Sequence, residues 1–111
     1  MQSVQSIQPV YSAYGDDPNL AELVDIFTHG LPQRLETLRS HGEVADWESV
    51  ARVAHQLNEC GSTYGFAQLS TLAARLEHCC SEELSPGEIL KSLDRFAEYC
   101  ERVRSGSARS N

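Results

Sequence analysis

Apolar residues recur along most of this chain at intervals of three and four, the signature of helices that bury one face. Asp17 followed by Pro18 predicts a helix start, with a carboxylate able to accept orphan amide hydrogens and a proline where no donor is needed. Leu20, Leu23, Val24 and Phe27 form its stripe. Gly30 and Pro32 predict a break and restart, since glycine closes helices easily and proline is best tolerated in a first turn. Leu31, Leu35 and Leu38 then carry a second helix to His41 and Gly42. Asp46 is the next cap, followed by the seam Val50, Ala54, Leu57 and Gly61 of a third. Gly65 breaks the chain before a fourth helix from about Ala67 to Cys80, striped by Leu69, Leu72, Ala73 and Leu76. Ser85 and Glu88 have capping-box spacing, with Pro86 at the first helical position of a fifth. Ile89, Leu90, Leu93, Phe96, Ala97 and Val103 are its expected buried face.

No segment alternates like a strand, and the connections are short, so consecutive helices should lie antiparallel. The expected fold is all-α: an up-and-down antiparallel four-helix bundle with an additional N-terminal helix. Residues 1–16 are expected to form a loosely packed arm, 17–104 the bundle, and 105–111 a disordered tail. No repeat of solenoid period is present.

Composition narrows the function without naming it. A chain of 111 residues with 41% hydrophobic and 23% charged residues has the make-up of one ordinary globular domain. Its formal net charge of −7 repels phosphate backbones and anionic lipid surfaces, so nucleic acid is not an expected partner. The first basic residue is Arg34, and no apolar run approaches the roughly 18 residues of a membrane span. A soluble, cytoplasmic, monomeric protein is the expectation. Cys60, Cys79, Cys80 and Cys100 are expected as free thiols in a reducing compartment. Together with His78 they include zinc-ligand types, but a bundle would hold Cys60 and Cys100 at one end and His78, Cys79 and Cys80 at the other. No metal site and no cofactor are therefore expected.

Among polar residues, His55 stands out. It follows core Ala54, and its helix face carries Glu48, Arg52 and Glu59, so the imidazole should meet solvent beside the seam. A lone helical histidine is ordinarily plain surface. His29 and His41 read as favourable charges near helix C-termini, and Trp47, Tyr64 and Phe66 as packing at the bundle ends. No phosphate loop, Ser/His/Asp set or carboxylate pair supports independent catalysis.

The string Ala54-His55-Gln56-Leu57-Asn58-Glu59-Cys60-Gly61-Ser62-Thr63-Tyr64-Gly65-Phe66, with Leu69 and the pair Leu76-Glu77, resembles the histidine phosphotransfer (HPt) family. His55, Leu57, Gly65, Leu69, Leu76 and Glu77 match its pattern. The upstream Leu31-Pro32-Gln33-Arg34 and Asp46-Trp47 also look like this family, so the resemblance covers about residues 17–104. It implies a phosphoryl carrier in a two-component phosphorelay, without kinase activity. His55 would take a phosphoryl group from a receiver-domain aspartyl phosphate or return it, the receiver supplying the acidic pocket and Mg²⁺. Expected partners are a response-regulator receiver domain, a histidine kinase, or both. Arg52, Gln56, Asn58, Glu59 and Ser62 would form the polar part of the phosphoryl- and receiver-facing surface. Two positions depart from the family: Asn58 stands where it has lysine, and Glu59 where it has glycine. Asn58 carries no charge, and Glu59 sets a carboxylate one turn from the ring, where it can hold the imidazole and raise its pKa. The alternative is a phosphorylation-deficient adaptor that keeps the docking face and has lost the chemistry.

Overall fold

The computed structural model describes residues 8–106. Four helices follow one another: α1 (Ala21–Glu43), α2 (Trp47–Thr63), α3 (Ala67–Ser81) and α4 (Pro86–Glu101). α1 packs on α2 and α4, and α3 packs on the same two, so each helix has two neighbours around a common core. Every side chain at the α2 and α3 seam positions Val50, Ala54, Leu57, Leu69, Ala73 and Leu76 is withdrawn from solvent. The described residues fold as an all-helical bundle of four helices. The expected additional N-terminal helix is not a separate element.

The two helices expected on either side of Gly30 and Pro32 are one. Val24, Phe27, Leu31, Leu35, Leu38 and Gly42 are all buried along α1, at steps of three and four that run through both residues without interruption. Pro32 points outward and removes only the amide that would have bonded the Thr28 carbonyl. One lost bond on the solvent face is outweighed by a core-facing seam of six positions. Gly30 stays helical, and a Cβ there would meet nothing within 4 Å.

The start of α1 also lies later than Asp17. Asp17 caps a turn: its Oδ1 accepts from the Asn19 amide at 2.8 Å and its carbonyl from Ala21 at 2.8 Å, while Leu20 occupies the N-cap. Leu23, expected in the buried stripe, is exposed, as is Leu90 on α4. Val103 is buried, but beyond the end of α4.

Asp46 and Ser85 cap α2 and α4 as expected, accepting from the amides of Ser49 and Glu88. The first three helices close by the same device. The Asp46, Phe66 and Leu84 amides reach back to the carbonyls of His41, Gly61 and Cys79, which requires a left-handed residue just before each. Gly65 fills that role at φ 86°, whereas Ala45 and Glu83 adopt φ 58° and 55°. Gly42, expected to end a helix, lies inside α1, where a Cβ would come within 3.2 Å of the Leu93 side chain.

The arm is not loose over its described part. Val10 and Val103 form a parallel bridge, the Val10 amide donating to the Arg102 carbonyl at 2.7 Å and the Arg104 amide to the Val10 carbonyl at 2.8 Å. Ser12 is buried and donates to the Tyr64 carbonyl at 2.6 Å, and the Ala13 amide donates to the Gly65 carbonyl at 3.0 Å. Phe27 stacks on Tyr64 beneath this strap, with ring centroids 5.3 Å apart. Of the tail expected to be disordered, residues 105–111, Ser105 and Gly106 are described, as a bend, and 107–111 lie outside the described residues, as do residues 1–7 of the arm.

Candidate functional site

The site is built where α2 and α3 run antiparallel. Ala54 and Leu76 are both fully buried in the shared core, so the residue after each, His55 and Glu77, emerges at the edge of the seam. The register sets the two side chains against each other. His55 Nδ1 lies 3.2 Å from the Glu77 carboxylate, and Nε2 lies 3.3 Å from Oε2 of Glu59, one turn further along α2. The imidazole is half exposed, Glu77 is 31% exposed and Glu59 is 70% exposed.

Both ring nitrogens thus face carboxylates, and the two act on the proton in the same direction. The hydrogen bond to Glu77 and that residue's charge raise the His55 pKa most, the Glu59 charge adds to them, and partial desolvation opposes. The imidazolium persists to higher pH than a free histidine's. The two carboxylates sit on different nitrogens and do not converge on a point that a cation could occupy. Among the described residues no group of three His, Cys, Asp or Glu side chains is arranged to hold a metal ion.

Arg52 lies one turn before His55. Its Nη2 donates to Ser49 Oγ at 3.1 Å, and that hydroxyl donates to Oδ2 of the capping Asp46 at 2.7 Å. The same Ser49 contacts hold the Asp46 carboxyl below its ordinary pKa. Glu48, Ala51, Arg52, His55, Gln56 and Glu77 line an open cleft of about 490 Å³. Gln56 is exposed at its margin.

The other two expected surface residues point elsewhere. Asn58 and Ser62 face α3, where Ser70 Oγ lies 2.6 Å from the Asn58 carbonyl, 2.9 Å from Ser62 Oγ and against Asn58 Oδ1. They border a separate groove of about 610 Å³ that includes Ala13 and Tyr14 of the arm. The expected surface therefore divides: Arg52, Gln56 and Glu59 surround the ring, while Asn58 is tied down beside it and Ser62 lies further along. Close approach of the helices causes this, because Gly61 has no side chain and a Cβ would come within 3.0 Å of the Ser70 amide.

Glu77 was legible only as a motif residue. Nothing in sequence spacing places a residue 22 positions away on a particular ring nitrogen; that needs the register between α2 and α3. The remaining candidates separate from the site. His29 sits inside the continuous α1, its Nδ1 2.8 Å from the Asp25 carbonyl, and not near a helix C-terminus, whereas His41 does lie in the last turn. The four cysteines are free. Cys100 is buried and its thiol is pushed up to about 12 by desolvation, while Cys79 and Cys80 end α3 at the opposite end of the molecule from the arm. Phe66 is buried in the core, and Tyr64 and Trp47 pack against it from the two ends.

The family model of the Hpt domain matches residues 22–106 of the chain. No curated protein and no solved structure matches. Among the described residues no helix is long and apolar enough to cross a membrane.

Proposed function

Because the chain belongs to the Hpt domain family, whose members are phosphocarrier modules of phosphorelays, we propose that His55 accepts and donates the phosphoryl group, exchanging it with a receiver-domain aspartyl phosphate. The supporting observation is the placement of the ring. His55 is half exposed on a rigid helix, at the mouth of an open cleft, with Nδ1 held by Glu77. A carboxylate on Nδ1 favours the tautomer with its proton there and leaves Nε2 as the nucleophile once the ring is neutral.

Residues 17–104 form the functional module on this reading, with residues 1–16 as its arm. Arg52 and Gln56 contact the receiver around the ring, and Asn58, Glu59 and Ser62 lie along the same helix. Partners are a response-regulator receiver, a histidine kinase, or both, in the cytoplasm. The bundle needs no catalytic apparatus of its own, because the acidic pocket and Mg²⁺ belong to the receiver.

One observation favours a second reading, the adaptor that docks a receiver without taking phosphate: Nε2 is itself engaged, by Glu59. The two readings separate on incubation with phosphorylated receiver domains, following acid-labile phosphate and binding in parallel. A carrier takes label that is lost in His55→Gln while receiver binding persists. Binding without label on wild type, with transfer appearing in Asn58→Lys combined with Glu59→Gly, identifies an adaptor instead.

A further inference from the structure

The two carboxylates on His55 are not equivalent partners in a transfer reaction. Glu77 reaches Nδ1 from α3 and is the less exposed of the pair; Glu59 reaches Nε2 from the solvent side of α2. In a neutral imidazole one nitrogen carries the proton and the other the lone pair. The Glu77 contact can last through a phosphoryl transfer, because the Nδ1 proton stays where it is. The Glu59 contact cannot, since the nitrogen it covers must shed its proton and bond phosphorus.

Resting on the phosphocarrier reading, we propose that Glu59 is a positioning residue that locks Nε2: paired with Nε2–H, it keeps the acceptor nitrogen protonated and covered, and transfer begins only when that pair opens. Among the described residues the charged groups around the ring are Glu48, Arg52 and Glu59 from α2 and Glu77 from α3, and no charged side chain of α1 or α4 lines the cleft. Arg52 is the only cation among them. Its guanidinium is engaged with Ser49 and does not relieve the ring of its carboxylates. The raised pKa of His55 is the equilibrium counterpart of the same geometry.

The unlocked step balances in atoms and charge. The Nε2 proton leaves to solvent, and the freed lone pair forms the N–P bond as the P–O bond to the donor breaks. The electron pair of that bond stays on the departing group, a carboxylate when the donor is an aspartyl phosphate. The ring keeps its Nδ1 proton on Glu77. A glycine at position 59 would leave Nε2 open at all times; the glutamate makes access depend on the proton.

The test uses the full chain as wild type, Glu59→Gln and Glu59→Gly, with phosphoramidate as a small phosphodonor, across pH 5.5 to 9. NMR titration of the His55 ring in each form checks folding and reads the midpoint. Taking the ratio of variant to wild-type rate at each pH cancels the titration of the donor. The lock predicts a His55 midpoint lower by about half a unit in Glu59→Gln, and a rate ratio of about threefold at pH well below both midpoints that falls toward one at high pH. A ratio above one that stays constant with pH would reduce Glu59 to plain repulsion of the donor and overturn the lock alone. An unchanged midpoint with an unchanged rate overturns it as well. If no form takes label at any pH, the carrier reading of His55 fails and the lock falls with it.

Discussion

At the level of single residues, the chemistry concentrates on one imidazole and the two carboxylates that hold it. Glu77 supplies the largest contributions to the raised His55 pKa, so Glu77→Gln should lower the NMR-measured midpoint of the ring more than Glu59→Gln does. The sign extends to stability. A histidine whose pKa is raised on folding stabilises the fold fully below its ordinary value, near 6.5, and that contribution is lost as pH rises through the folded midpoint. Denaturant titrations of Glu77→Gln should therefore lose stability relative to wild type at pH 5.5 and approach it near pH 9. An equal loss at both pH values would show that Glu77 acts through packing and not through the proton. Asp46 works in the opposite direction. Its depressed pKa gives a contribution present above the ordinary aspartate value and lost as pH falls through the folded one.

Among the elements, α1 shows how local signals and burial compete. Gly30 and Pro32 each favour a boundary, yet the apolar seam from Val24 to Gly42 runs through both and its burial prevails. What remains is the cost of a proline in a helix interior, a carbonyl at Thr28 left without its amide partner. Pro32→Ala should restore that bond. Thermal and urea unfolding are expected to show a gain of about 1–2 kcal/mol, after the loss of the proline's restriction on the unfolded chain. No gain, or a loss, would mean that the proline ring contributes contacts that offset the missing bond. The same competition decides the turns. Ala45 and Glu83 take left-handed conformations that glycine favours because the helices on either side must reverse there, while Gly42 is kept for close approach to α4.

For the whole molecule, the arm joins parts of the chain that are far apart in sequence. It runs from the end of α4 to the α2–α3 turn, bonded at Val10 to Arg102 and Arg104, and at Ser12 and Ala13 to Tyr64 and Gly65. Gly65 is bound into this arrangement twice over, by its left-handed backbone and by the Ser12 and Tyr14 side chains packed above it. Ser12→Ala removes the donor to the Tyr64 carbonyl and should cost about 1–2 kcal/mol in denaturant unfolding. Deleting residues 1–14 should cost more, with amide exchange accelerating at Val103 and Arg104 in particular. Wild-type exchange rates there in the truncated chain would show that the strap does not hold the end of α4. His55 lies midway along α2, on the same seam that the strap closes at one end.

The helical class, the caps at Asp46 and Ser85, the seams of α2 and α3 and most of that of α4 could be read from the chain alone, because these depend on periodicity and on hydrogen bonds within a few residues. The sequence also singled out His55, through a string of neighbours on one helix. The continuity of α1, the stitching down of the arm, the turn of Asn58 to Ser70 and the meeting of Glu77 with the ring emerged from packing between elements. Each of these depends on the register of one element against another, a quantity that no local spacing contains. The burial of a whole seam outweighed a proline and a glycine, and the antiparallel alignment of α2 with α3 brought residues 55 and 77 together.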